Sequence, residues 1–71
     1  MEFTKVESSM IDEVAYQSGS ELLFVRFKNG SLYSYEDVPK HLFDELLNSE
    51  SKGKFFTNNI KKDYVFKKVT E

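Results

Sequence analysis

Cysteine is absent from the 71-residue chain, and histidine and proline each occur once. Without cysteine the chain has no disulfides, no thiolate zinc sites and no cysteine nucleophile. The single histidine, His41, makes neither a metal site nor a catalytic triad. No apolar run approaches the length of a membrane span or resembles a signal-peptide core, so we expect a cytoplasmic protein without a membrane partner.

Aromatic residues are abundant, with seven phenylalanines and four tyrosines. A chain of this length is near the lower limit at which one apolar core is self-sufficient. Aromatic rings bring a large apolar area per residue and help such a chain to fold. Because no linker, repeat or low-complexity stretch interrupts the sequence, we predict one domain over residues 1–71.

Charge is distributed unevenly along the chain. Residues 1–50 carry ten acidic and four basic side chains, for a net charge of −6. Residues 51–71 carry six lysines against two acidic residues, for a net charge of +4. A lysine-rich end can attract phosphates, or it can simply form a solvated rim. The overall charge of −2 makes duplex DNA an improbable partner.

Alternating apolar residues predict three strands in the first half of the chain. The first strand region covers residues 6–16, and a change of parity between Ile11 and Val14 predicts a bulge there. The clearest strand covers residues 21–27. After an Asn-Gly turn, residues 31–36 return as the second strand of a hairpin.

The hairpin around residues 28–30 allows two registers. A two-residue turn would place Tyr33 and Tyr35 on the same face of the sheet as Arg26. A three-residue loop with a left-handed glycine would place both tyrosines on the core face with Leu23. We favour the three-residue loop because it collects the larger residues on one side of the sheet.

Two helices and a last strand complete the predicted order. Pro39 suits the first position of a helix whose apolar stripe continues to Leu47. Ser51 suits the N-cap of a shorter helix that ends near Asn59. Residues 63–69 are typical of an edge strand protected by lysines. The predicted fold is α+β, in the order β-β-β-α-α-β, with an antiparallel sheet and the helices packed on one face.

Several short sequence elements follow one another along nearly the whole chain: Ser8-Ser9 with Ile11, Leu23-x-Val25-x-Phe27, Tyr33-x-Tyr35, Val38-Pro39, Ser51-x-Gly53 and Phe55-Phe56. Together they resemble the KTSC domain family, which is named for the C-terminal domain of certain lysyl-tRNA synthetases. The resemblance implies a small module that is either appended to a synthetase or stands alone in bacteria and phages. It also suggests RNA binding, an inference from the synthetase context.

The tyrosine pair is the first candidate for a binding site. Tyr33 and Tyr35 lie two residues apart on a strand, so their side chains share one face. That aromatic surface either packs the core or stacks a flat ligand, and stacking contributes about 1–3 kcal/mol per base. Arg26 and Lys28 are near enough in the hairpin to meet phosphates.

The start of the second helix is the other candidate. Lys52 and Lys54 place positive charge in a first turn, where the helix dipole disfavours it. Gly53 costs about 1 kcal/mol of helix propensity relative to alanine. Exposed amides, a missing side chain and two ammonium groups could together cradle a phosphate. Alternatively, Gly53 lets the two helices pack closely or turn sharply.

We therefore expect a non-catalytic binding module that needs no cofactor or metal, because the chain lacks a nucleophile–base pair, metal ligands and a nucleotide fingerprint. The favoured ligand is RNA or a nucleotide, held by stacking and by lysine–phosphate contacts. One alternative is a protein-interaction module or homo-oligomer, and another is a stand-alone, phage-type protein that sequesters a small nucleotide signal. The candidate ligand-binding residues are Tyr33, Tyr35, Arg26, Lys52, Gly53 and Lys54.

Overall fold

Five antiparallel strands form one layer of the computed structural model, which describes residues 2–70, and two helices form the other. The strands lie side by side in chain order, each antiparallel to its neighbours. Both helices lie in the connection between the fourth and fifth strands. The elements are β1 (Thr4–Lys5), β2 (Ile11–Gln17), β3 (Leu22–Phe27), β4 (Leu32–Tyr35), α1 (Lys40–Asn48), α2 (Lys52–Asn59) and β5 (Phe66–Lys68).

The predicted α+β class is confirmed, with one more strand than expected. The extra strand, β1, precedes the predicted strand region 6–16, and that region is a strand only from Ile11. The Ser8 hydroxyl accepts hydrogen bonds from the amides of Met10 and Ile11, both at 3.1 Å. These bonds form a turn that draws the two amides away from strand pairing. The predicted bulge is confirmed, since the β2–β3 register shifts between Ile11 and Glu13.

The β3–β4 hairpin has the favoured register with the three-residue loop. Val25 pairs with Tyr33, and Leu23 pairs with Tyr35. Gly30 closes the loop with a φ of 94°, and its N–H donates to the carbonyl of Phe27 at 2.9 Å. Both tyrosines therefore point toward the core face of the sheet.

The core lies between that face and the two helices. Leu23, Val25 and Tyr35 of the sheet belong to one buried cluster with Leu46 of α1 and Phe56 of α2. One side of the sheet thus carries both helices, as predicted.

Tyr16 of β2 holds the segment that leads into α1 against the sheet. Its hydroxyl donates to the carbonyl of Val38 at 2.6 Å, and its ring stacks on Phe43 with the ring centroids 5.3 Å apart. A side chain on β2 therefore fixes the chain on both sides of the helix start.

The helix starts differ in detail from the predicted ones. Pro39 is the N-cap of α1 with an extended ψ of 148°, so the helix begins one residue later than predicted. Ser51 is the N-cap of α2, but its side chain makes no capping hydrogen bond. The Ser49 hydroxyl instead accepts from the Ser51 amide at 3.2 Å and donates to the Ser51 carbonyl at 3.1 Å.

The last strand is shorter than the predicted 63–69, because residues 61–63 form a turn after α2. β5 pairs only with β4, so its position at the edge of the sheet is confirmed. Lys67 and Lys68 on it are exposed. Within residues 2–70, neither helix is long and apolar enough to cross a membrane.

We expect Gly30→Ala to lower the free energy of unfolding by about 1 kcal/mol or more, because an L-residue is strained at positive φ. A Cβ at Gly30 would meet nothing within 4 Å, so this cost comes from the backbone. Gly19→Ala is the matched control, since Gly19 has equally open surroundings without a positive φ. Urea unfolding of both variants measures the difference, and equal stability would contradict the assigned loop.

Candidate functional site

A pocket of about 250 Å³ opens on the core side of the sheet, near the edge formed by β5. Five of its seven lining residues are aromatic, and one is a lysine. We call it the aromatic pocket. Its walls are Met10, Phe27, Tyr33, Tyr35, Phe56, Lys61 and Phe66.

The rings around the aromatic pocket contact one another in a continuous cluster. The Tyr35 and Phe56 rings meet edge to face at 5.2 Å between centroids and 83° between planes. Phe27 meets Phe56 at 5.5 Å and Tyr33 at 5.7 Å, also edge to face. Phe66 lies 5.8 Å from Tyr33 and 5.9 Å from Tyr35, yet 54% of it is exposed. It forms the outer wall, and such offset ring contacts stabilise the arrangement beyond area burial alone.

The hydroxyl of Tyr35 is the most informative polar group in the aromatic pocket. The residue is only 4% exposed, and its hydroxyl makes no hydrogen bond within residues 2–70. No fully buried side-chain nitrogen or oxygen in that part of the chain lacks a partner, so this hydroxyl retains some access to solvent, and Tyr35 lines the pocket. Buried polar groups are normally paired, and a mostly buried hydroxyl without a protein partner is suited to meet a ligand.

Burial also keeps that hydroxyl protonated. Desolvation, and secondarily the neighbouring Tyr33, raises the pKa of Tyr35 to about 12. The group is therefore a neutral phenol at physiological pH, able to donate one hydrogen bond and to accept others.

The start of α2 borders a second, wider cleft of about 610 Å³, which we call the polar cleft. Its opposite wall is the turn at Ser8, Ser9 and Met10. Lys52, Gly53 and Lys54, the predicted phosphate-binding residues, all line it. Two carboxylates, Glu7 and Glu50, line it as well and offset the two lysine charges.

Gly53 faces the turn before β2. A Cβ built on it would lie 3.4 Å from Met10 Cε and 3.5 Å from Ser8 Oγ, which is ordinary van der Waals contact. Gly53 therefore approaches this turn closely. It does not approach α1, which was the alternative explanation for a glycine at this position. Because a methyl group would fit there, the fold does not require glycine at this position.

The two predicted lysines differ in their surroundings. The Lys52 ammonium donates to the carbonyl of Ser49 at 2.9 Å, so it fastens the connection between the helices. Lys54 is exposed and makes no hydrogen bond or ion pair with the described residues. Of the two, Lys54 is the better placed to meet a ligand.

Arg26 is not brought together with the tyrosines. The observed register turns it to the opposite face of the sheet, where its Nε donates to Glu13 at 3.0 Å. Its guanidinium also lies 5.7 Å from the centre of the Phe3 ring. The prediction that Arg26 lies in one site with Tyr33 and Tyr35 is therefore wrong, because the sheet separates them.

Met10 and Lys61 are two wall residues that the sequence pattern did not indicate. Met10 lines both the aromatic pocket and the polar cleft, so the two lie on either side of its side chain. Lys61 follows the end of α2 and lines the aromatic pocket. The only signal for Lys61 was its membership of the basic C-terminal segment, which marks six lysines equally. Across residues 2–70, no cluster of three or more carboxylate or histidine side chains could hold a metal ion.

The family model of the KTSC domain matches residues 7–64. The chain belongs to the KTSC domain family. A KTSC domain protein from Yersinia pestis has a crystal structure that matches this one with a TM-score of 0.91, at 28% identity and over 97% of each chain. The resemblance seen in the sequence is thus confirmed, and so is the fold class.

KTSC relatives of two architectures match the chain. A protein from Tsukamurella paurometabola is 41% identical over 56 residues, which is 79% of this chain and 84% of that one. A lysine–tRNA ligase from Trichormus variabilis is 36% identical over 66 residues, or 93% of this chain. The matched region is only 12% of the ligase, so the chain corresponds to a small part of that protein.

We expect Tyr35→Phe to leave the free energy of unfolding unchanged or slightly raised, because no protein hydrogen bond is lost. Tyr16→Phe is the matched variant, and it should destabilise by about 1 kcal/mol because it removes the bond to Val38. Chemical denaturation of the two variants separates the cases. If Tyr35→Phe proved the more damaging of the two, its hydroxyl would have a partner inside the fold.

We also expect the alkaline loss of stability to be smaller in Tyr35→Phe than in the wild type. An unfolded tyrosine ionises near pH 10, whereas folded Tyr35 ionises near 12. The stabilisation is thus present below about pH 10 and is lost as the pH rises toward 12, because the unfolded chain releases the proton first. Unfolding free energies measured across that window test this, and parallel curves for the two proteins would contradict it.

Proposed function

We propose that this KTSC domain is a non-catalytic module that binds a nucleotide unit, with the base in the aromatic pocket and a phosphate at the polar cleft. The observation that carries the proposal is the Tyr35 hydroxyl, which lacks a protein partner although the residue is 4% exposed and lines a pocket of rings. A base offers both a flat face for the rings and polar edge atoms for the hydroxyl.

Ring geometry supports a flat ligand. Phe66 is the outermost ring of the cluster and is more than half exposed, so it can cover one face of a base. Tyr33 is half-buried beside it and offers a second ring. Stacking of this kind contributes about 1–3 kcal/mol per base and tolerates different bases.

Phosphate binding is supported by the start of α2. The first backbone amides of α2 lie at the positive end of the helix, and Gly53 places no side chain between them and the turn at Ser8 and Met10. Lys54 adds an exposed ammonium group. Glu7 and Glu50 weaken the local field, so we expect modest affinity that falls as the salt concentration rises.

Two sources of the ligand fit the same chemistry. Relatives in which the domain forms part of a lysine–tRNA ligase favour RNA. Relatives of nearly the same length as this chain favour a small free nucleotide, because such a protein could sequester it without any catalytic partner. Both sources present a base and a phosphate, and we propose the same residues for each.

The test is a titration of the isotope-labelled protein with mononucleotides and short RNA, followed by backbone amide shifts. We expect Tyr35→Phe to weaken binding several-fold while the fold is retained. Lys54→Glu should weaken binding by about tenfold, the size of one charge-assisted contact. Lys62→Glu is the matched control, because Lys62 is exposed but lines neither the aromatic pocket nor the polar cleft.

Gly53→Ala tests the polar cleft separately. We expect it to weaken phosphate-dependent binding while leaving the stability equal or higher, because the added Cβ makes ordinary contacts and alanine favours helix. Retained affinity in this variant, with unchanged affinity in Lys54→Glu, would remove the polar cleft from the site.

A protein-interaction role is the second candidate. Val65 and Phe66 are the large apolar residues that stand exposed in the described chain, at 65% and 54%, and both lie at the open sheet edge of β5. If no nucleotide shifts any amide and the wild type self-associates, this edge becomes the favoured binding surface. Val65→Lys should then abolish the association.

A further inference from the structure

Lys61 gives the aromatic pocket a positive charge of its own. It is an exposed residue and the one charged side chain among the pocket's lining residues. Among residues 2–70, no carboxylate lines this pocket, whereas the polar cleft has two carboxylates beside its two lysines. An anion at the mouth of the aromatic pocket would therefore meet attraction that no lining carboxylate offsets.

A second lysine reaches the same side from β5. Lys68 pairs directly with Tyr33 in the antiparallel ladder, so the two side chains project from the same face of the sheet. Lys67 pairs with Ser34 and projects from the other face, where its ammonium lies 3.7 Å from Glu36. Of the two neighbouring lysines on β5, only Lys68 is thus directed toward the aromatic side.

Lys61 and the lysines of the polar cleft lie at opposite ends of α2. Lys54 is in the first turn of the helix, and Lys61 follows its last residue by two positions. The five residue steps from Lys54 to the last helical residue, Asn59, rise about 8 Å along the axis, and Lys61 lies beyond them. The aromatic pocket includes Phe56 of α2 in its wall, and Met10 lines both this pocket and the polar cleft.

We infer that the domain binds a nucleoside with phosphates on both its 5′ and 3′ oxygens, one at the polar cleft and the other at Lys61 and Lys68. This inference rests on the proposed function and adds the second phosphate. A free nucleoside 3′,5′-bisphosphate and an interior nucleotide of a single strand share this chemistry. Both ligands require a site that holds one base and has a positively charged group for a phosphate on each side of it.

The experiment compares affinities for the 5′-monophosphate, the 3′-monophosphate and the 3′,5′-bisphosphate of adenosine and of uridine, together with a trinucleotide of each. Isothermal titration at low salt gives the dissociation constants. We expect the wild type to bind the bisphosphate about tenfold more tightly than either monophosphate, the size of one charge-assisted contact. Lys61→Gln and Lys68→Gln should remove most of that advantage.

Lys62→Gln and Lys67→Gln are the matched controls, since each makes the same charge change one residue away. Lys62 does not line the pocket, and Lys67 projects from the opposite face of the sheet. Equal losses in the controls, or a bisphosphate bound no more tightly than the better monophosphate, would overturn the inference. The proposed function would then still stand if Tyr35→Phe weakened monophosphate binding, and it would fall too if no nucleotide bound the wild type.

The trinucleotide identifies the source of the ligand. A trinucleotide bound at least as tightly as the bisphosphate, and weakened by Lys61→Gln, indicates a strand of nucleic acid. A bisphosphate preferred over the trinucleotide indicates a free nucleotide. Either result supports the second phosphate position if Lys61→Gln weakens binding of the preferred ligand, and undiminished binding in that variant contradicts it.

Discussion

The three-residue loop that closes the β3–β4 hairpin determines the chemistry of both sheet faces. Gly30 adopts a φ of 94°, and the resulting register pairs Leu23 with Tyr35 and Val25 with Tyr33. Side chains alternate along a strand, so a shift by one residue would exchange the two faces. The observed register sends the tyrosines to the helices and Arg26 to the opposite side, where it meets Glu13.

The aromatic cluster contributes to the core and to the candidate site at once. Phe56 is fully buried and packs edge to face against Tyr35, while Phe66 at the other end of the cluster is more than half exposed. The small core thus continues directly into the pocket wall. Pocket residues therefore cannot all be truncated without loss of stability. Removal of a single hydroxyl is the change that distinguishes binding from folding, because it leaves the ring in place.

The polar cleft depends on contact between segments far apart in the sequence. The Ser8 hydroxyl folds the chain into a turn before β2, and that turn lies against Gly53 at the start of α2. Both segments belong to the elements by which the chain resembles its family, and residues 7–64 match the family model. Met10, between the two segments, joins the polar cleft to the aromatic pocket. Two of the family elements, Ser8-Ser9 and Ser51-x-Gly53, thus line the same cleft although they lie far apart in the sequence.

The sequence by itself determined the α+β class, the order of the longer elements and the edge position of the last strand, because these follow from apolar periodicity and turn residues. It also indicated the bulge in β2 and the family. Only the tertiary structure decided that Arg26 is separated from Tyr33 and Tyr35, that Lys52 is engaged by a backbone carbonyl, and that Met10 and Lys61 line the pocket. Local patterns specify which face a side chain occupies, whereas distances between faces and between helix ends arise only when the layers pack.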